Sequence, residues 1–341
     1  MIGFNRPELL RRSLIEIHRS GVTTIFISID GPRIGSQTDS KKVNECKIVI
    51  EEFQNKFIIM RKRFSDVNQG CKLGVKSAID WFFENNDFGI IVEDDILISS
   101  EFVEFCAEVD SRFSSWEEIW QVNGWTPFNY KEASLVPYIT RYPMIWGWAT
   151  WAKKWTYYKD EIGEKSLTHP SLLLSNLNFD TPLNFDTFWV SKFQKLQRGY
   201  DTWDFQWVNT IWVHGGVAIS PPLRLTQNIG FDDRATHTKS AGFRHDLKIE
   251  RIDFIRSNIS RNTLIDLYQG KLLYGLNLPD SFPRTNFLVR FKLNSTDGIF
   301  KRLVSSLFIP KFYDIYLTKN GFRNALLTIK IMGKIIWKKF F

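Results

Sequence analysis

Over the first 125 residues, short apolar runs alternate with longer stretches in which apolar positions recur every three or four residues. The run "IFISID" (25–30) reads as a buried strand ending in Asp30, and "GPR" (31–33) as the turn after it. Residues 5–20 read as an amphipathic helix, with Asn5 at its cap, Pro7 in its first turn and Gly21 as its stop. Further helices are predicted over 39–57, 71–86 and 100–113, the last capped by Ser99 or Ser100. "FGIIVEDD" (88–95) is a strand. This alternation predicts an α/β fold with a mostly parallel central sheet flanked by helices. Residues 126–240 are irregular and rich in Trp, and from about 246 short helical pieces lead into a basic tail. The expected division is a main domain over 1–245, in halves 1–125 and 126–245, and a C-terminal helical extension over 246–341. Only "MIGF" precedes Asn5, where a buried strand usually needs about 5–6 residues. Either the start is truncated or the first strand is trimmed.

Composition adds a few limits. The chain has 341 residues, 43% of them hydrophobic, which is enough for one large core with a smaller appendage. Its 13 Trp supply flat faces suited to stacking on sugars as well as to filling a core. Cys46, Cys71 and Cys106 form no CxxC pair, so neither a disulfide framework nor a zinc site is expected, and a reducing compartment fits. The first residues lack a signal-peptide pattern, and no apolar run approaches a membrane span.

The charge is concentrated at one end. Residues 300–341 hold nine Lys/Arg against Asp314 alone, which accounts for the whole-chain net charge of +8. The rest is neutral and offers no basic groove, so nucleic acid is not an expected partner. Within 324–341, Lys330, Lys334 and Lys338 share one helix face, opposite Leu327, Ile331, Ile335 and Trp337. That pattern suits an interfacial helix on an anionic membrane, or a helix packed on the domain with its basic face in water. The expected location is cytoplasmic, peripheral on the inner face of the cell membrane.

Four stretches carry candidate chemistry. Glu93, Asp94 and Asp95 stand at a strand end, where open parallel sheets bind ligands. Adjacent carboxylates there suit Mg²⁺ or Mn²⁺ holding a diphosphate; the plainer alternative is a solvated turn. No GxxxxGK[ST] or GxGxxG loop occurs. In "DTWDFQW" (201–207), Asp204 between Trp203 and Trp207 suits a general base, or else the segment is an ordinary helix start. In "MIWGWATWAKKW" (144–155), Trp146, Gly147 and Trp148 are candidates for a sugar pocket. Trp151 and Trp155, four apart on an expected helix, read as core. His237, in a polar loop, suits a metal or phosphate contact or a structural hydrogen bond.

In the order "FNRPELLRRSL", "ISIDG", "GVKSAIDWFF", "IIVEDDILISSEFVEFC", "WGWATW", "TWDFQW" and "HT" after "NIG", residues 1–240 resemble GT-A-fold glycosyltransferases. They are similar to the N-acetylglucosaminyltransferase I family and its bacterial homologues. The resemblance implies a nucleotide-binding half and an acceptor half, a nucleotide-sugar donor (UDP-sugar favoured) and Mn²⁺ or Mg²⁺. It also implies a glycan or lipid-linked oligosaccharide acceptor in surface polysaccharide assembly. Arg6 and Asp30 match positions contacting the donor nucleotide. Glu93 matches a position facing the donor sugar and Asp94 one facing the ribose. Asp95 matches the metal ligand, Asp204 the base of an inverting transfer, and His237 a histidine near the donor phosphates. Trp146, Gly147, Trp148 and Trp203 line the expected acceptor pocket. Rival readings are a metal-dependent phosphoesterase built on 93–95 and a non-catalytic glycan-binding module using the Trp faces.

Overall fold

The structure, a computed structural model, describes residues 1–128, 137–177, 179–230, 260–261 and 263–279. In chain order the strands are β1 (Ile2–Gly3), β2 (Thr24–Ile29), β3 (Ile59–Phe64), β4 (Phe88–Ile91), β5 (Ile96–Ile98), β6 (Ile119–Asn123), β7 (Tyr138–Thr140), β8 (Trp148–Trp151), β9 (Val217–Ser220), β10 (Thr226–Asn228) and β11 (Ser260–Arg261). The helices are α1 (Pro7–Arg19), α2 (Gln37–Glu52), α3 (Gly70–Phe83), α4 (Ser100–Phe113), α5 (Ala152–Trp155), α6 (Glu164–Thr168), α7 (Phe185–Gln197), α8 (Asp204–Val213) and α9 (Thr263–Tyr274).

The α/β class expected from the alternating pattern is the one observed. β1, β2 and β3 form a parallel set, with Ile2 opposite Ser28 and the whole of β2 paired along β3. A parallel bridge between Ile2 and Glu93, with the Ile2 N–H donating to the Val92 carbonyl at 2.9 Å, joins this set to β4. A six-stranded sheet continues in the order β4, β8, β6, β9, β7, β11. β8 runs antiparallel to both its neighbours, and β6 pairs β9 in parallel. β5 and β10 make a separate antiparallel ribbon.

Local chemistry accounts for two helix starts. Ser99 caps α4 by accepting the Phe102 N–H at 3.2 Å, and Ser36 caps α2 through the Asp39 N–H at 3.2 Å. Asn5, the expected cap of α1, is displaced by Arg6. The Asn5 amide instead donates to the Asp39 carboxylate at 2.7 Å, tying the starts of α1 and α2 together. The segment expected to be helical around Trp151 and Trp155 divides: Trp151 ends β8, and only Ala152–Trp155 is helical. Both rings are still core.

The aromatic half of the core is a stack of indoles. Trp148 and Trp203 lie face to face with centroids 5.5 Å apart, and Trp207 touches Trp148, Trp155 and Trp120. Offset and edge-on ring pairs of this kind add to the burial of the rings themselves. The Trp207 indole N–H is satisfied by Gln121 at 2.8 Å.

β11 and α9 fall within the stretch expected to be a separate extension, yet they belong to the compact unit Met1–Leu278. The fully buried Arg141 donates through Nε to Asp266 of α9 at 2.5 Å. Asp266 also accepts the Thr140 hydroxyl and the Arg141 N–H, each at 2.8 Å. The basic segment 324–341 lies outside the described residues. No helix among the described residues is long and apolar enough to cross a membrane.

Candidate active site

β1 to β4 all run the same way, so their carboxyl ends share one edge of the sheet. Ligands of open parallel sheets bind at such an edge. Arg6 follows β1, Asp30 follows β2, residues 64–69 follow β3, and 93–95 follow β4.

The acidic triplet is neither solvated nor evenly disposed. Asp94 is 1% exposed and Asp95 7%, while Glu93 is half-buried. Arg6 sits between the two aspartates, with Nη1 2.8 Å from Asp95 Oδ2 and Nη2 bound to Asp94 Oδ1. The Phe4 N–H reaches Asp94 Oδ2 at 3.3 Å, and Ser13 donates to the Asp94 carbonyl at 2.9 Å. One cation thus offsets two of three adjacent anions. Arg6 and Asp94 were expected at the nucleotide. Here their charged ends face each other, because a buried carboxylate needs a partner more urgently than an exposed one.

Glu93 lacks that counter-ion. Burial and the neighbouring Asp95 push its carboxyl well above the ordinary range; Arg6 works against the shift, and Asp94 and Asp204 add to it. Burial also raises Asp94, with Arg6 opposing.

Asp30 closes the β2 side. Its Oδ1 accepts the Gly31 N–H at 2.8 Å and the Gln69 N–H at 2.9 Å, and its Oδ2 accepts Asn68 Nδ2 at 2.8 Å. Gly31 makes the junction possible, since a Cβ there would come within 2.5 Å of the Val67 backbone. Burial raises the Asp30 carboxyl despite these bonds, and Asp201 adds a smaller push.

Asp201, in the segment whose plainer reading is an ordinary helix start capped by Asp201 or Thr202, has a structural role at a different helix. It caps α3 from 130 residues away, accepting the Cys71 N–H at 2.8 Å and the Lys72 N–H at 2.9 Å. Gly70 at its side has φ +81, and a Cβ there would lie 2.8 Å from Asp201 Oδ2. Three residues on, Asp204 opens α8; its Oδ1 accepts the Phe205 N–H at 2.9 Å and the Thr202 hydroxyl. Cys71 registers Glu93, Asp201, Asp204 and Asp30 together, and burial with these anions holds its thiol protonated.

The expected acceptor pocket is not assembled as read. Trp148 and Trp203 are 1% and 2% exposed and stack on each other, so neither offers a face to a sugar. Gly147 adopts φ +77, and a Cβ there would strike Thr226 at 2.7 Å, so packing alone demands the glycine. Trp146 is half-buried, edge-on to Trp125 at 4.7 Å. His237 lies outside the described residues.

Hard carboxylate oxygens suit Mg²⁺ or Mn²⁺, which take one or two protein carboxylates when phosphates and water fill the remaining positions. Gly230 lies against Asp95 so closely that a Cβ would come within 2.1 Å of Oδ2, so the packing on this carboxylate requires glycine. No group of three His, Cys, Asp or Glu set to hold a metal occurs among the described residues. Asp95 and Glu93 would supply such an ion one or two oxygens, with the other positions left to phosphate and water.

No family model matches the chain, and no curated protein matches it. Among solved structures it is similar to residues 1–349 of TarS from S. aureus. That match has 11% identity and a TM-score of 0.36, covering 65% of this chain and 57% of that one. It is also similar to the mannosyltransferase PcManGT from Pyrobaculum calidifontis, solved with GDP-Man and Mn²⁺. Here the identity is 13% and the TM-score 0.35, covering 65% of this chain and 53% of that one. The chain spans little more than half the length of each.

Proposed function

We propose that this chain is a metal-dependent glycosyltransferase of GT-A type, moving a sugar from a nucleotide-diphosphate donor to a hydroxyl of a glycan or lipid-linked acceptor. The observation that carries the reading is the placement of Asp30 and 93–95 at the carboxyl ends of β2 and β4, with more anionic charge than Arg6 offsets, and the bonding of Asp201, three residues before Asp204, to the start of α3 beside Asp30. Asp95, with Glu93 beside it, would hold Mn²⁺ or Mg²⁺, which would offset charge on a departing diphosphate. Asp204, across the cleft and oriented by Thr202, takes the proton of the acceptor hydroxyl. One base opposite one leaving group corresponds to direct displacement with inversion. Asp30 and the 68–70 loop fit the nucleotide side of the cleft. A UDP-sugar donor and a role in surface polysaccharide assembly extend this reading through the family resemblance. The alternative of a glycan-binding module on the Trp faces is disfavoured by the burial of Trp148 and Trp203.

Calorimetry of the full chain with UDP, GDP and CMP, each with and without Mn²⁺, tests the reading. Binding of at least one nucleotide diphosphate that requires the ion and is lost in Asp95→Ala is the expected result. No ion-dependent binding of any of the three would sink the transferase reading.

A further inference from the structure

The central sheet contains a gap one strand wide. β2 is paired with β3 along its full length, Thr24–Ile29, but with β1 only at Ser28 and Ile29. β4 is paired with β8 along Phe88–Ile91, and on its other edge meets β1 only beyond its end, at Glu93. Residues 24–26 of β2 and the four residues of β4 therefore face each other across a space that holds no strand of the described residues.

That space is an apolar cavity of about 460 Å³. Its walls include Phe26 of β2, Ile90 of β4, Ala78 and Phe82 of α3, and Val103 and Cys106 of α4. A strand in such a place is buried on both faces and asks for an unbroken apolar sequence.

Hydrogen bonding at its upper end fixes what would follow. The Met1 nitrogen donates to the Phe26 carbonyl at 2.7 Å, and the Ile2 N–H to the Val92 carbonyl at 2.9 Å. Successive residues of β1 thus bond alternately to β2 and β4. Continued backwards, the same alternation brings the next two N–H groups to the carbonyls of Ile90 and Thr24. The Met1 amine is buried at the mouth of the cavity, and burial lowers its pKa to about 5.

We propose that this cavity is the seat of one more strand: about four extended apolar residues, joined to the amino end of Met1, parallel to β2 and β4 and bonded to both. The two open sheet edges, three residues long on β2 and four on β4, carry this reading, which is independent of the activity proposed above.

The test extends the full chain ahead of Met1 by Ile-Val-Ile-Val or by Gly-Ser-Gly-Ser. The apolar extension is expected to raise Tm by more than about 5 °C over the polar one. It is also expected to shift Trp81 emission to the blue, read as the difference from a Trp81→Phe variant. Placing Pro third in the extension removes one N–H and should abolish most of the gain. Ala78→Leu fills the cavity from α3, so it should cancel the gain in the extended chain without lowering Tm in the unextended one. Val-Ala-Val-Ala serves as a more soluble replacement should the first extension aggregate. Equal Tm for the apolar and polar extensions overturns the proposal. So does a gain that survives both Pro and Ala78→Leu, or an equal gain from the free tetrapeptide, which would make a separate peptide the occupant.

Discussion

Arg6 binds Asp94 and Asp95 at the same time, 88 and 89 residues away in sequence. The guanidinium fork is the one side chain whose geometry serves two carboxylates in this way. Removing it leaves Asp94 buried without a counter-ion. Arg6→Met is therefore expected to cost about 3–5 kcal/mol in urea unfolding. The double variant with Asp94→Asn should recover much of that loss, and failure to do so would assign the cost to packing.

Glu93 gives a pH signature. Its folded pKa lies above the unfolded value of about 4.3, so the ionised group opposes folding. The penalty is absent below that pH and grows as pH rises toward the folded value. Glu93→Gln should leave Tm unchanged near pH 4 and raise it near pH 8. Mn²⁺ should stabilise the unsubstituted chain more as pH rises over the same window, because the ion needs the carboxylate ionised.

Asp204 separates chemistry from binding. Asp204→Asn keeps the Thr202 contact geometry but loses the base. Sugar transfer should fall by at least about 100-fold while ion-dependent nucleotide binding stays within about twofold. Steady-state kinetics alongside calorimetry checks both, and turnover at the parental rate would remove Asp204 from the chemistry.

Asp201 latches α3 to the segment that carries Asp204. Asp201→Ala removes the cap and is expected to cost about 0.5–2 kcal/mol, with Asp201→Asn closer to the parent. Thermal unfolding of the two variants measures this difference.

Gly147→Ala should destabilise by about 1–3 kcal/mol, since it combines a positive φ with a close approach to Thr226. Chemical denaturation checks it, and the loss should appear equally with and without nucleotide.

Much of the first 125 residues was legible because the signals there are local. Periodicity gave α1 and α4, an apolar run ending in Asp30 gave β2, and Ser99 announced its own helix. β3 escaped notice because "IMRKRF" carries charges where a strand is expected to be apolar. Among the described residues it pairs with β2 alone, and exposed edges are commonly guarded by cations. Arg6 and Asp94 were both singled out, but that each answers the other is a tertiary fact that neither local sequence contains. The Trp residues were misleading for a similar reason. A ring that suits a sugar also suits another ring, and only the meeting of β8 with the residue before α8 decides between them.

The bond between Arg141 and Asp266 also governs where the chain can be cut. A fragment ending at residue 245 would take away the carboxylate that three donors on residues 140 and 141 share, leaving a guanidinium stranded in an oily interior. Such a fragment should be recovered as inclusion bodies, whereas one ending after Leu278 keeps the pair and should stay in solution.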